Sequence, residues 1–157
     1  MRAVLFALLL SLLAPATAAA APLVETLKSE GYGLFAGWIE SAQFNWQLAD
    51  KGPFTVLAPS DAAIRAQLSE AEIAELSDPA NAARLWTIVT YHTWPGAYSV
   101  AELTDWHVVH SMAYYAVTIF DLKSGLQLNN AKVLGSEIAA DNGTIIPIDK
   151  VFVQAGK

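Results

Sequence analysis

The chain has 157 residues, a formal net charge of -6 and no cysteine. This acidic balance disfavours nucleic acid and anionic membrane surfaces as partners, because both are recognised by clustered Lys and Arg. Without cysteines, no disulfide framework stabilises the fold, so a hydrophobic core must do so. The length of the chain is enough for one such core.

The N-terminal segment predicts a secretory signal peptide over residues 1–20. Arg2 provides a positive start, residues 4–13 form an apolar run, and Pro15 is followed by small residues ending in an Ala-x-Ala site. The apolar run is too short to cross a bilayer, which takes about 20 residues. We therefore expect cleavage after Ala20 and a single domain over residues 21–157, exported to the periplasm or secreted, with no transmembrane segment.

The first half of the mature chain reads as helices. After a short helix at residues 23–28, one apolar stripe with helical period predicts a helix to about residue 50. Ser60 is placed to cap the next helix, and the pairs Ser69–Glu72 and Ser99–Glu102 form capping boxes. Residues 54–57 form a short buried strand between these helices.

The second half reads as strands. Apolar and polar residues alternate from Tyr114 to Ile119, and turn clusters follow at residues 123–125, 129–130 and 141–143. Asn142-Gly143 is the strongest hairpin signal in the chain. Helices first and strands later predict an α+β domain.

Three segments, in this order, resemble the fasciclin domain family. Residues 52–64 (GPFTVLAPSDAAI) are similar to its first signature box, residues 91–96 (YHTWPG) to its Tyr-His segment and residues 141–152 (DNGTIIPIDKVF) to its second box. The resemblance covers nearly the whole mature chain. It implies a wedge-shaped β-sandwich with N-terminal helices packed on it, and an exported adhesion or interaction module that is not an enzyme and needs no cofactor.

The resemblance also implies roles for particular residues. The family signature residues are expected to be structural: Thr55, Tyr91, His92 and Asp149. We expect His92 to be hydrogen-bonded within the fold, near Thr55 or Asp149, because buried polar groups have partners. Animal members bind integrins partly through an Asp-Ile pair, and Glu137-Ile138 stands at the matching place, so these two residues are candidate binding residues. Because Glu replaces Asp there and the chain has no Arg-Gly-Asp, integrin binding itself is not expected.

The second box departs from the family pattern at Ile146, where a histidine is often found. Pro147 follows it, and since proline cannot donate to a strand ladder, we expect an edge strand there.

The sequence does not indicate a catalytic site or a metal site. Ser60 lies outside a Gly-x-Ser-x-Gly elbow. His107 and His110 would point to opposite faces of a strand, so metal binding is not expected of them.

Five tryptophans are the compositional excess. Trp38, Trp46 and Trp86 lie on helical stripes and are expected in the core. Trp94 and Trp106 lie next to loops and are expected to be partly exposed. With Tyr98 they are the candidate binding residues, because exposed aromatic side chains anchor interfaces.

Two functions stay open from the sequence alone. The first is an adhesion or interaction module for a protein or a cell-surface glycan or other polymer. The alternative is a small carrier that holds an apolar ligand, such as a carotenoid or lipid, in an aromatic-lined cleft.

Overall fold

The computed structural model describes residues 22–153, so the predicted signal peptide lies outside the described residues. Most helices lie in the first half of the chain, and most strands lie in the second half. The helices are α1 Leu23–Ser29, α2 Gly33–Ser41, α3 Asn45–Asp50, α4 Asp61–Gln67, α5 Glu70–Ser77, α6 Ala82–Tyr91 and α7 Val100–Leu103. The strands are β1 Phe54–Pro59, β2 Thr93–Pro95, β3 Val108–His110, β4 Ala116–Leu122, β5 Gly125–Leu128, β6 Ala131–Lys132, β7 Ile138–Ala140 and β8 Gly143–Ile148.

The predicted helix starts are confirmed by their caps. The Ser60 hydroxyl accepts a hydrogen bond from the Ala63 N–H at the start of α4. Both predicted capping boxes form, at the N-termini of α5 and α7. Each cap satisfies backbone N–H groups that the helix itself leaves unpaired.

The predicted continuous helix to residue 50 is wrong. Gln43 has a φ of 56°, a left-handed conformation that ends one helix and separates α2 from α3. The break rotates α3 away from the apolar stripe of α2. Trp46 is consequently 71% exposed instead of buried, which corrects its expected place in the core.

The strands form two four-stranded sheets. The first has the order β2-β1-β8-β7, with β1 and β8 parallel, and the second has the antiparallel order β3-β4-β5-β6. The predicted hairpin is confirmed, since Asp141 and Asn142 connect β7 to β8 through the antiparallel pair Ala140 and Gly143.

The first sheet is the middle layer between the helices and the second sheet. Val56 and Ile145 face a core shared with the helices, whereas Leu57 and Ile146 face a second core between the two sheets. This arrangement is α+β, as predicted, and it leaves the outer face of the second sheet uncovered by any described helix.

The predicted edge position of Pro147 is wrong, because β8 lies between β1 and β7. β7 pairs only with residues 143–145 of β8. Pro147 therefore lies beyond the end of β7, where its missing N–H costs no ladder bond to that strand.

The turn at Asn142 and Gly143 joins the helices to the first sheet. The Asn142 side chain accepts from the Leu23 N–H at 2.8 Å and donates to the Leu48 carbonyl at 2.6 Å. Gly143 lies directly against β1, so that a Cβ there would overlap the Phe54 carbonyl oxygen. The turn thus has no room for a larger residue at position 143.

Replacement of Gly143 by Ala is expected to destabilise the protein by about 2–3 kcal/mol, because backbone atoms must move to admit the methyl group. Gly37→Ala is the matched control, since a Cβ at this position in α2 meets nothing within 4 Å. It should stabilise the fold by about 0.5–1 kcal/mol, because Ala favours a helix over Gly. Chemical denaturation of both variants measures the difference, and equal stabilities would contradict the close approach at Gly143.

Candidate functional site

The Tyr-His segment forms a buried cluster instead of a surface site. His92 is fully buried at the C-terminus of α6, and its Nδ1 lies 2.8 Å from the Ile88 carbonyl oxygen. The Phe152 N–H donates to His92 Nε2 at 3.0 Å, and the two rings stack at 4.9 Å. The expected hydrogen bonding within the fold is present, but the partners are Ile88 and Phe152, not Thr55 or Asp149.

Burial determines the protonation state of this histidine. Desolvation lowers the pKa of His92 from 6.5 to about 4, while the Ile88 carbonyl raises it to a smaller extent. Nδ1 carries the proton, because Nε2 accepts from the Phe152 N–H. His92 therefore joins α6 to the C-terminal segment as a neutral ring.

The other signature residues also bond within the fold. The Thr55 hydroxyl donates to the Gly96 carbonyl at 2.8 Å and accepts from the Tyr98 N–H at 2.9 Å. Tyr91 Oη accepts from Asn129 at 3.1 Å, and burial raises the pKa of the Tyr91 hydroxyl. Asp149 accepts from the Lys132 N–H at 2.7 Å.

The expected exposure of Trp94 is wrong. Trp94 is 0% exposed and lies in the core between the two sheets. Its strand β2 pairs with β1, with Trp94 opposite Thr55, so the strand turns the indole ring inward although Pro95 begins a turn. Trp94 is therefore removed from the candidate binding residues.

Trp106 and Tyr98 lie together, Trp106 exposed and Tyr98 half-buried against the core between the two sheets. Their ring centroids are 5.0 Å apart, and Trp106 is 40% exposed. Trp106 leads into β3, whose register with β4 continues to His107, because the Ile119 N–H donates to the His107 carbonyl. Trp106 itself lies before β3, where its N–H donates to the Leu103 carbonyl and its ring contacts Tyr98.

Exposed apolar side chains continue from Trp106 onto the outer side of the second sheet. We define the exposed apolar face as Trp106, Val108, Phe120 and Leu122, each of them 40–45% exposed. Val108 pairs with Thr118, and Phe120 pairs with Gln127 on β5. The neighbours of the face on these strands are therefore uncharged.

The pair Glu137-Ile138 lies at β7, outside the exposed apolar face. The Glu137 carboxylate accepts from the Val100 N–H at 3.1 Å, which ties the start of α7 to β7. Ile138 is half-buried against the core beneath the helices. Glu137 therefore has a structural contact of its own.

The helical tryptophans divide into buried and exposed. Trp38 is buried, as expected, and its Nε1 donates to the Ser77 hydroxyl at 3.2 Å. Trp86 is 36% exposed, so its expected place in the core is only partly correct, although its ring packs edge-on against Phe44 at 5.2 Å.

A cavity of about 300 Å³ lies at the end of β3. It is lined by Pro95, His110, Ser111, Met112 and Tyr114. Two further cavities of about 210 and 360 Å³ are lined without any Tyr or Trp, and the cavity at β3 has Tyr114 but no Trp in its lining, whereas the carrier alternative requires a cleft lined by Tyr and Trp.

Phe120, Leu122 and Tyr114 are exposed although the sequence pattern did not predict them as candidate residues. The alternation seen from Tyr114 to Ile119 continues through β4. Its extension by three residues, to Leu122, would have placed Phe120 and Leu122 on the outer face. Tyr114 gave no such signal, because its exposure depends on a left-handed φ of 62° that residue type does not predict.

Within the described residues, every helix is too short or too polar to cross a lipid bilayer.

Comparison with known proteins supports the fold. The chain is 34% identical over 140 residues to protein sll1483 of Synechocystis, covering 88% of this chain and 76% of that protein. It is 38% identical over 106 residues to the uncharacterized protein sll1735 of the same organism, covering 68% of this chain and 77% of that protein.

A solved structure shows the same fold at low sequence identity. A FAS1 domain pair from the insect cell adhesion molecule fasciclin I superimposes with a TM-score of 0.76 at 14% identity. The match covers 87% of this chain and 52% of that structure, so the chain spans about half of the length of the pair. The fasciclin domain model matches residues 30–154, and the chain belongs to the fasciclin domain family.

Proposed function

We propose that this chain is an exported interaction module that binds a partner protein through the exposed apolar face. Fasciclin domains are in general interaction modules of the extracellular space and not enzymes, which supports this role and the predicted signal peptide. The carrier alternative is not pursued, because none of the cavities described above has the lining that it needs.

The observation that carries the proposal is the composition of the exposed apolar face. Val108, Phe120 and Leu122 lie on the outer side of the paired strands β3 and β4, and Trp106 precedes β3 with its ring beside Tyr98. Single exposed apolar residues are ordinary, whereas a contiguous patch marks an interaction site. Aromatic residues at the centre of such a patch contribute most to binding energy.

The absence of charged side chains on this face favours contact with an uncharged surface of the partner. The chain as a whole is acidic, yet the face and its paired neighbours Thr118 and Gln127 carry no charge. An uncharged centre avoids the cost of burying an unpaired charge on binding. Glu137 and Ile138 are left outside the proposed surface.

Trp106→Ala and Phe120→Ala are each expected to weaken partner binding by about tenfold, and both variants should keep most of their stability since the side chains are exposed. Trp46→Ala is the matched control, because Trp46 is an even more exposed aromatic residue on α3. Quantitative crosslinking to envelope proteins of the exporting cell, followed by mass spectrometry, measures the binding. Equal capture by Trp106→Ala, Phe120→Ala and the parent would refute the proposed surface, and capture of a glycan alone would exclude a protein partner.

A further inference from the structure

The open edge of the second sheet is formed by β3. In an antiparallel pair, alternate residues bond to the neighbouring strand. The Ile119 N–H donates to the His107 carbonyl and the Ser111 N–H donates to the Tyr115 carbonyl, so the odd-numbered residues of this segment bond to β4. Val108 and His110 consequently turn their backbone N–H and C=O groups away from β4.

These outward groups are unpaired within residues 22–153. None of the hydrogen bonds outside the ladders engages the backbone of Val108 or His110, and both side chains are exposed. Two residues of a strand span about 6.6 Å, which is the repeat of an adjoining strand. The edge therefore presents a short donor and acceptor pattern that an extended peptide matches.

The other sheet edges are less open to such pairing. At β2, the Thr93 carbonyl already accepts from the Met112 N–H, and Pro95 has no N–H. β6 has only two residues. β7 lies between Glu137 and Asp141, and charges beside an edge oppose strand pairing.

A rigid loop with an exposed aromatic side chain follows β3. The Met112 N–H of this loop donates to the Thr93 carbonyl on β2. Within the loop, the Tyr114 N–H donates to the Ser111 carbonyl. Tyr114 has a φ of 62° and is 89% exposed. This conformation costs about 1 kcal/mol or more of folding free energy for a residue other than glycine. An exposed ring offsets little of this cost, because it makes few packing contacts with the core.

The cavity of about 300 Å³ lies between this loop and β2, with His110 on its wall. Its lining residues include no Asp, Glu, Lys or Arg, and its volume is at the lower end of the range for ligand pockets. It is suited to one uncharged side chain of a strand that lies along β3. Tyr114 and Trp106 would then contact this strand at opposite ends of β3.

We propose that an extended segment of a partner protein adds to the second sheet beside β3 and inserts one apolar side chain into this cavity. This inference rests on the proposed function and specifies the partner as a peptide strand. Strand addition supplies affinity through backbone hydrogen bonds and specificity through pockets for alternate side chains. A glycan would not match the backbone groups of Val108 and His110 in this way.

The test selects a library of random ten-residue peptides against the immobilised protein and measures the enriched peptides by calorimetry. Val108→Pro removes an outward N–H and leaves the bonds to β4 intact, and proline is tolerated at such an edge position. We expect about tenfold weaker peptide binding by Val108→Pro than by Val108→Ala, which also loses the apolar side chain but keeps the outward N–H. The amides of Val108 and His110 in the parent should become protected from hydrogen exchange when peptide binds. His110→Pro is the second edge variant, and thermal melting verifies that each variant folds.

The outcomes separate this inference from the proposed function. If Val108→Pro and His110→Pro fold and bind the peptides as tightly as the parent does, while Trp106→Ala and Phe120→Ala lose binding, strand addition is overturned and the exposed apolar face stands. A parent that enriches no peptide over Val108→Pro also overturns strand addition. Dimerisation of the parent that Val108→Pro abolishes would assign the edge to a second copy of this chain and overturn a separate partner.

Discussion

Trp94→Ala is expected to destabilise the protein by about 3–5 kcal/mol. The indole ring is fully buried between the two sheets, among side chains that include Leu57, Val117 and Ile146. Truncation of a large core residue costs the transfer free energy of the lost atoms and the free energy of the cavity left behind. Partner binding should fall only as far as the folded population falls.

Matched variants separate this core role from a surface role. Trp46→Ala and Trp106→Ala remove equally large rings from exposed positions, so each should change the free energy of unfolding by less than about 1 kcal/mol. Trp94→Phe should cost less than Trp94→Ala, because most of the ring remains and Nε1, which has no acceptor in the described part of the chain, is removed. Urea denaturation of the four variants gives the comparison, and a Trp94→Ala protein as stable as the parent would contradict the burial.

The tryptophans show what the sequence predicts and what it does not. Trp38 lies within α2, where helical period alone determines the buried face, and its burial was predicted correctly. The exposure of Trp46 depends on whether the helix continues through Gln43. The burial of Trp94 depends on which side of β2 faces the second sheet. Both of these follow from tertiary arrangement, which a local pattern does not contain.

Local chemistry predicted the element boundaries well. The caps at Ser60, Ser69 and Ser99 and the turn at Asn142 all form where the residues indicate. The three caps depend on contacts within a few residues of sequence, and the Asn-Gly pair favours a turn locally, although the Asn142 side chain also bonds to Leu23 and Leu48. The parallel pairing of β1 with β8 joins segments about 90 residues apart, so no local pattern in the sequence predicts it.

The candidate site was predicted in part for the same reason. Tyr98 and Trp106 were proposed as binding residues because aromatic residues beside a turn are a local feature. Phe120 and Leu122 join them only through the pairing of β3 with β4. The open edge at Val108 depends on the order of strands in the second sheet, which no local sequence pattern predicts.

The contacts of His92 predict that acid weakens the fold. The pKa of His92 is lowered to about 4 in the folded protein, against 6.5 for an ordinary histidine, because burial disfavours the charged ring. The unfolded chain therefore binds a proton at a higher pH than the folded chain does. The stability that His92 supplies is complete above pH 6.5 and is lost as the pH falls from 6.5 to 4.

The difference between these two pKa values corresponds to about 3 kcal/mol of unfolding free energy. Most of this loss should occur above pH 4.5. Glu72 and Glu102, whose pKa values are lowered by hydrogen bonds from their capping serines, lose their contribution only below pH 4.5. The interval between pH 6.5 and 4.5 thus isolates the histidine.

His92→Gln is expected to remove this dependence on pH, because glutamine does not titrate. The variant should be less stable than the parent at pH 7.5, since the Phe152 N–H loses a well-placed acceptor. His110→Gln is the control, because His110 is exposed on β3, and it should retain the parent's decline. Urea denaturation at half-unit steps of pH measures all three proteins. A decline between pH 6.5 and 4.5 that persists in His92→Gln would show that another group carries it, whereas its loss would identify the buried ring beside Phe152 as the titrating group.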